Sequence, residues 1–483
     1  MEQMKYIFTT ILLLLISCRT YDGIDTTKPS AYINSPKNGV LVSDTLIVSA
    51  IGSDDVGIEY IELWLNQEKT TKKDYEPPFE FILDTHSLLN TDEGETIELS
   101  VKAYDTSENE SALSSSVNVY LDNSNPTKVI LSPIIEENGV LQFNWDKSND
   151  LDFYAYVITV NNSPFNLIDT IFSINYTQTQ IQYNYQDTEF FGIRVIDKGL
   201  KSTQSNLVQP VTFEFITIQS GTFYFGENDE SKFVTEPYQI MTSEVTNIQY
   251  RSYLSVAREL NEIDTSNIYP WVIDNEGNVL YDLENGYISW NGTNFEIDGT
   301  QNPLLPHYPV TNVSYHGARH FANFFGFDLP LEINWEKAAT VNGLFDYPWG
   351  SEFDDENNPI NEIRSSYANY FENEDFNGLA EPYEPGGENN DFNSPGLAPV
   401  KYLEGEIDEF WFFSKCPSEC QGLNHMSGNV WEWVRNENPD NFINNQIAKG
   451  GSWRSPKQEL RVWSRKYLDP SATGDHVGFR CSK

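Results

Sequence analysis

Apolar positions keep two different periods along this chain. From Ser30 to about Asp122 they alternate with polar ones, as in Thr45-Leu46-Ile47-Val48-Ser49-Ala50, Tyr60-Ile61-Glu62-Leu63-Trp64-Leu65 and Ile97-Glu98-Leu99-Ser100-Val101-Lys102-Ala103-Tyr104. A period of two between turn clusters predicts half-buried strands, and strands at this spacing without a helical period predict a β-sandwich. After a polar, proline-containing link at Asn123–Pro126 the alternation resumes in Leu141-Gln142-Phe143-Asn144-Trp145 and Tyr154-Ala155-Tyr156-Val157-Ile158-Thr159-Val160. That predicts a second sandwich ending at about Pro210, with Trp145 in its core.

Past residue 213 the period lengthens. Thr246 and Gln249 form a capping box, and Tyr250, Tyr253, Leu254 and Ala257 then recur at i, i+3, i+4 and i+7 on one helical face. A second helix is expected from Ser314, with Ala318, Phe321, Ala322 and Phe325 inward. A third follows Pro330 and carries Trp335, Ala338 and Ala339. An aromatic, turn-rich insertion occupies roughly 261–307, and short strands and long loops make up the rest. Near the end, Ser427-Gly428-Asn429 reads as a turn feeding the strand Val430-Trp431-Glu432-Trp433, with both tryptophans on one face and Val430 and Glu432 on the other. Two readings of that strand stand open: a buried aromatic strand with a solvated Glu432, or an oxygen-rich cation site.

Several stretches carry resemblances. Asn34-Ser35-Pro36-Lys37-Asn38-Gly39, Asp54-Asp55-Val56-Gly57 and Ala103-Tyr104-Asp105 resemble bacterial immunoglobulin-like repeats, and the Trp145 and Tyr154/Tyr156 strands resemble fibronectin type III. Asp54 and Asp55 read either as Ca²⁺ ligands or as a solvated loop. Ser427-Gly428-Asn429-Val430-Trp431-Glu432-Trp433, then Gly450-Gly451-Ser452-Trp453, then Gly478-Phe479-Arg480-Cys481 resemble the sulfatase-modifying-factor, or formylglycine-generating-enzyme, family. Glu244-Val245-Thr246-Asn247, Tyr308-Pro309-Val310-Thr311-Asn312-Val313, Leu329-Pro330-Leu331-Glu332 with Trp335-Glu336, and Tyr347-Pro348-Trp349-Gly350 agree in the family's order, over roughly 214–483. The expected architecture is therefore multidomain: two all-β sandwiches, immunoglobulin-like (30–122) and fibronectin III-like (123–212), followed by an irregular α+β, C-type-lectin-like head (213–483).

The resemblance also implies chemistry. Family calcium ligands map onto Asn369, the Tyr370 carbonyl and Asp391, and, at a second site, onto the side chains of Asn429 and Glu432 with carbonyls around Ser427 and Val430. Structural calcium is the cofactor expected. Family oxidases hold copper(I) through two cysteines shortly after Gly-Gly-Ser, and thiolates are what copper(I) needs. Here Ser455 and Leu460 stand at those positions, so copper is not expected and no catalytic residue is assigned. Cys481 matches a structural cysteine of the family, but the position of its implied partner is Ala322. Cys416 and Cys420 read as a local disulfide or a relocated metal pair, and His316 and His320 as a solvated pair or two metal ligands.

Composition narrows the function. The chain has 483 residues, 72 acidic and 30 basic, for a net charge of −42. That balance argues against nucleic acid as a partner and favours divalent cations. Aromatic residues reach 14%, which is unlike a disordered acidic chain. Residues 1–18 read as an export signal: Lys5, the apolar run Ile7–Ile16, and Leu15-Ile16-Ser17-Cys18, which resembles a bacterial lipobox and implies a lipidated Cys18 holding the chain to a membrane of the cell envelope. Residues 19–29 form a tether, and the two sandwiches read as spacers. A groove of Trp433, Ser452, Trp453, Arg454, Arg461, Trp463 and Arg465 offers guanidinium groups beside aromatic rings, suited to an envelope peptide or glycan unless the arginines pair internally. The expected function is binding or assembly at the cell surface. The rival is an oxygen-dependent oxidoreductase acting on a protein cysteine through Cys416/Cys420 or histidines.

Overall fold

The computed structural model describes residues 25–88, 94–161, 167–186, 188–264, 269–297, 302–340, 346–348, 352–353, 359–360, 368, 397–400, 422–436 and 445–483. The first module contains β1 (Ser30–Ser35), β2 (Val40–Val42), β3 (Thr45–Ser53), β4 (Ile58–Leu65), β5 (Glu68–Asp74), β6 (Phe79–Asp84), β7 (Glu95–Asp105) and β8 (Val117–Leu121). They form two sheets, ordered β1-β3-β6 and β2-β8-β7-β4-β5. Alternation fills the space between them: Leu46, Val48 and Ala50 of β3 meet Ile97, Leu99, Val101 and Ala103 of β7 in one buried cluster.

The second module contains β9 (Ile135–Glu137), β10 (Val140–Asn144), β11 (Phe153–Val160), β12 (Leu167–Ile171), β13 (Gln178–Gln182), β14 (Phe191–Asp197) and β15 (Ser202–Gln204). Its sheets run β13-β10-β9 and β12-β11-β14-β15. Trp145 lies in the core edge-on to Tyr156, ring centroids 5.4 Å apart, as the alternation predicts. The link between the modules is stitched down. Asn123 Oδ1 accepts the Asp44 N–H at 2.9 Å and the Thr85 hydroxyl at 2.8 Å, and Lys201 pairs with Asp44 at 3.4 Å.

The head opens with β16 (Phe215–Ile218) and β17 (Gly221–Phe225), which pair with β19 (Tyr238–Met241) and β18 (Glu230–Val234) respectively. Helix α1 (Asn247–Glu259) begins as its sequence dictates: Thr246 Oγ1 accepts the Gln249 N–H and Gln249 Oε1 accepts the Thr246 N–H. Its face of Tyr250, Tyr253, Leu254 and Ala257 is fully buried, each large side chain contributing about 1.5–3 kcal/mol. Hairpins β20 (Trp271–Ile273)/β21 (Val279–Asp282) and β22 (Ile288–Trp290)/β23 (Phe295–Ile297) occupy the insertion, and their Val272, Leu280, Ile288 and Phe295 join the same core. Helix α2 (Tyr315–Phe324) is capped by Ser314, whose hydroxyl accepts the Gly317 N–H at 3.0 Å. A Cβ on Gly317 would lie 2.0 Å from the Leu280 carbonyl, so only glycine lets α2 approach β21 this closely. Helix α3 (Glu332–Ala339) follows Pro330. After a short pairing of β24 (Glu352–Phe353) with β25 (Pro359–Ile360), the last sheet is ordered β28 (Lys466–Leu468), β27 (Gln446–Lys449), β26 (Trp431–Val434), β29 (Val477–Gly478).

The second sandwich is more than a spacer. Val256 of α1 is fully buried within that module's core, beside Phe324. Arg251 is buried against Gln209 and lies 4.8 Å over the Phe190 ring, Gln249 donates to the Thr212 carbonyl at 2.6 Å, and Lys128 pairs with Glu259 at 2.6 Å. Sandwich and head thus share one packed boundary on α1. Among the described residues no helix is long and apolar enough to cross a membrane.

Candidate functional site

The residues with the strongest chemical promise sit on β26 and around it. This strand lies inside its sheet, and Trp431, Glu432, Trp433 and Val434 are all buried, so neither face is solvated as the alternation suggested. Glu432 is fully buried and spent. Its Oε2 accepts the Trp335 indole N–H and the Arg480 Nε–H, both at 2.7 Å, and its Oε1 accepts an Arg480 Nη2–H at 2.7 Å. Arg480 gives two further N–H donors to the carbonyls of Met241 (3.1 Å) and Asn424 (2.7 Å). A two-pronged guanidinium–carboxylate pair of this kind is strong and directional.

This arrangement corrects the second calcium site. Asn429, at φ +61, points its Oδ1 at the Ala398 N–H (3.0 Å) and its amide nitrogen at Glu244 (2.9 Å) and the Ala398 carbonyl (3.2 Å). Its own carbonyl accepts the Trp453 N–H, and the Ser427 hydroxyl donates to the Leu460 carbonyl. Asn429, Glu432, Ser427 and Val430 as they stand do not fit a calcium ion, because the Glu432 oxygens are held by guanidinium and indole donors. Arg480 supplies the positive charge there. Asn369, Tyr370 and Asp391, the first calcium set, lie outside the described residues, as do Cys18, Cys416 and Cys420.

A second buried carboxylate sits in the same cluster. Glu244 accepts from Asn429 through Oε1, while its Oε2 is sealed and has no hydrogen-bond partner among the described residues. Burial pushes its carboxyl up to about 7, with Arg480 opposing. His425, also buried, is pushed down to about 4 by burial and then by Arg480, so it is neutral. One guanidinium thus serves two carboxylates: Glu432 takes its hydrogen bonds, and Glu244 is left to bind a proton near neutrality. Neither Glu244 nor Arg480 was singled out from the sequence as a site residue. The available signal was a charge flanked by core residues, as in Phe479-Arg480-Cys481, which demands a buried counter-charge.

The positions expected for copper thiolates carry no sulfur. Ser455 is buried and its hydroxyl donates to Glu459 at 2.7 Å, while Leu460 is fully buried. The loop is tight: Gly451 has φ +75, and a Cβ there would stand 3.0 Å from the Glu459 carbonyl. Cys481 is buried, forms no disulfide among the described residues, and has its thiol pushed well up by burial. Ala322, at the position of its implied partner, is itself in the core.

The groove is corrected as well. Trp433 is a core residue, its indole N–H on the Val313 carbonyl at 3.0 Å. Arg454 pairs with Asp475, Arg461 lies 3.5 Å from Asp346, and Arg465 pairs with Glu332, so the internal-pairing alternative describes the arginines. Trp453 donates to the Asp475 carbonyl at 3.2 Å and carries Arg454 4.5 Å above its ring; the buried Ser452 hydroxyl lies 3.3 Å from that of Ser455. Trp463 donates to Asp346 at 3.3 Å. His320 shares a hydrogen bond with the Tyr253 hydroxyl at 2.7 Å, and among the described residues neither His316 nor His320 belongs to a metal-ligating group.

Comparison with known proteins places this geometry. Residues 202–483 match the family described as sulfatase-modifying factor enzyme 1-like domain, and residues 29–93 match the bacterial Ig domain. A serine/threonine-protein kinase Pkn1 of Chlamydia trachomatis is 26% identical over 57% of this chain and 39% of its own length. The inactive Cα-formylglycine-generating enzyme 2 of Bos taurus is 24% identical over 53% of this chain and 80% of its own length. The formylglycine-generating enzyme of Thermomonospora curvata is 28% identical over 37% and 56%. The chain thus spans about two fifths of the chlamydial kinase it matches. Among solved structures, PvdO from Pseudomonas aeruginosa matches with a TM-score of 0.34 and 16% identity, over 56% of this chain and 93% of that one.

Proposed function

Because the chain belongs over residues 202–483 to the family of sulfatase-modifying factor enzyme 1-like domains, we propose that it is a non-catalytic member, a binding or assembly protein of the bacterial cell envelope. The observation that carries this reading is the loop after Gly450-Gly451. Where the family's oxidases place two thiolates, Ser455 is closed onto Glu459 and Leu460 is part of the core. A hydroxyl and a carboxylate are hard donors, and an isobutyl group donates nothing, so this loop is no copper(I) ligand set. The resemblance to a relative named as inactive supports the same reading.

Envelope placement rests on Leu15-Ile16-Ser17-Cys18, and attachment through a lipidated Cys18 leaves the modules outside the bilayer. The partner class proposed is an envelope protein or glycan. The test is copper loading of the purified chain, followed by oxygen uptake with a cysteine-containing peptide. No stoichiometric copper(I) and no uptake above a buffer control are expected. Copper bound at one per chain with peptide-dependent uptake would establish the oxidoreductase instead, and Cys416→Ser and Cys420→Ser would then identify its thiols.

A further inference from the structure

Three carboxylates of the first module converge with two of their oxygens sealed from water and unsatisfied. Asp25, Asp54 and Asp105 each present an oxygen within 4.8 Å of the other two. They come from the segment leading into β1, the β3–β4 connection and the last residue of β7. Asp25 Oδ2 and Asp54 Oδ1 each expose less than 1 Å² and accept no hydrogen bond from any described residue. Their sister oxygens are taken: Asp25 Oδ1 by the Thr27 N–H at 2.9 Å, and Asp54 Oδ2 by the N–H groups of Val56 (2.8 Å) and Gly57 (2.9 Å).

Asp105 is fully buried. It accepts from the Ser107 and Asn109 N–H groups at 2.8 and 2.9 Å and from the Asn109 side chain at 2.9 Å. The two orphaned oxygens therefore face a third carboxylate instead of a donor. Sealing anionic oxygens in this way is costly unless a cation joins them.

We propose that a Ca²⁺ ion binds at Asp25, Asp54 and Asp105 and fastens the entry of the chain to the first sandwich. Two oxygens on one Ca²⁺, at bond lengths of about 2.3–2.6 Å, stand at most about 5 Å apart, so the observed spacing suits a single ion. Three carboxylate oxygens supply part of the six to eight oxygen ligands that Ca²⁺ takes. Asp55, the other candidate in the sequence, is exposed and accepts from the Thr27 hydroxyl at 3.3 Å. Asp25 and Asp105 lie outside the segment that matches the bacterial Ig domain. The cluster exists because the entering segment returns to the sheet, where the Asn109 side chain also holds the Asp25 carbonyl at 3.0 Å.

The test uses the full chain, stripped with a chelator and equilibrated with Ca²⁺ alone. Bound Ca²⁺ per chain is measured by equilibrium dialysis for the wild type, Asp25→Asn and Asp54→Asn. Each variant is expected to bind one ion fewer, whatever the head binds, and Ca²⁺ is expected to raise the first unfolding transition of the wild type alone. Asp25→Asn lies outside the sheets, so it keeps the comparison informative if Asp54→Asn fails to fold. Equal binding by wild type and Asp25→Asn overturns the proposal. So does a transition indifferent to Ca²⁺ but raised on acidification, which is the behaviour of a proton shared between Asp25 and Asp105.

Discussion

Replacing Glu244 by glutamine isolates the second buried carboxylate of the head. Its carboxyl is pushed from 4.5 up to about 7, mainly by burial. A carboxylate with a raised folded-state pKa makes the folded chain the tighter proton binder between the two values. Stability therefore falls as pH rises from about 4.5 to about 7 and levels off above. At about 1.4 kcal/mol per pH unit, the loss accumulated by pH 8 is about 3 kcal/mol. Glutamine keeps the acceptor for Asn429 and removes the charge. Glu244→Gln is therefore expected to match the wild type near pH 4.5 and to exceed it by about 3 kcal/mol at pH 8. Urea unfolding read from the near-ultraviolet signal of the buried Trp335, Trp431 and Trp433 measures this. The other titrating groups are common to both proteins, so the difference between their pH profiles reports Glu244 and its coupling to Glu432 and Arg480. Parallel profiles, or a variant weaker at pH 8, would refute the assignment of Glu244 as the uncompensated charge.

Other changes probe the same framework. Arg480→Met strands Glu432 without its counter-charge and should cost about 3–5 kcal/mol, part of which the added change Glu432→Leu should restore; double-mutant unfolding curves measure both. Thr246→Ala removes the cap of α1 and should cost about 1 kcal/mol in the same assay. Val256→Ala removes about 2 kcal/mol of burial shared by head and second sandwich, and should lower the stability of both together, as read by amide hydrogen exchange in β14 and in α1. Cys481, buried with its thiol pushed up, should react with a thiol reagent only in denaturant, and Cys481→Ala should remove one equivalent there.

How much of this was legible in the sequence follows the range of the interactions. Local ones were plain. The Thr246/Gln249 capping box, the α1 face of Tyr250, Tyr253, Leu254 and Ala257, and the alternation of β3 and β7 all appear as read, because each depends on neighbours within a few residues. The groove and the calcium ligands misled for one reason. Arg454, Arg461, Arg465 and Glu432 were read without the partners that long-range folding brings to them, Asp475, Asp346, Glu332 and Arg480. The Asp25–Asp54–Asp105 cluster was half visible. Asp54 stood out in its loop, but Asp25 and Asp105 join it only through the return of the entering segment to the sheet.

The residues that carry the family resemblance are largely those that hold the head together. Trp335 of α3 reaches Glu432 of β26, and Glu432 holds Arg480 beside β29. Lys449 of β27 is fully buried and pairs with Glu336 at 2.9 Å, while Arg465 returns to Glu332 on the same helix. These contacts tie α3 to β26, to β27 and to the residue that leads into β28. Removing Arg480 or Lys449 leaves a buried carboxylate, Glu432 or Glu336, without its counter-charge, so the stability of the head depends on this set whatever the head does. Thiolates at positions 455 and 460 would lie outside that network: among the described residues the Ser455 hydroxyl is hydrogen-bonded to Ser452 and Glu459 of its own loop, and the buried Leu460 side chain carries no polar group. The signature therefore reports the fold, and ten residues, Ser452 to Arg461, decide whether copper can bind in the family's position.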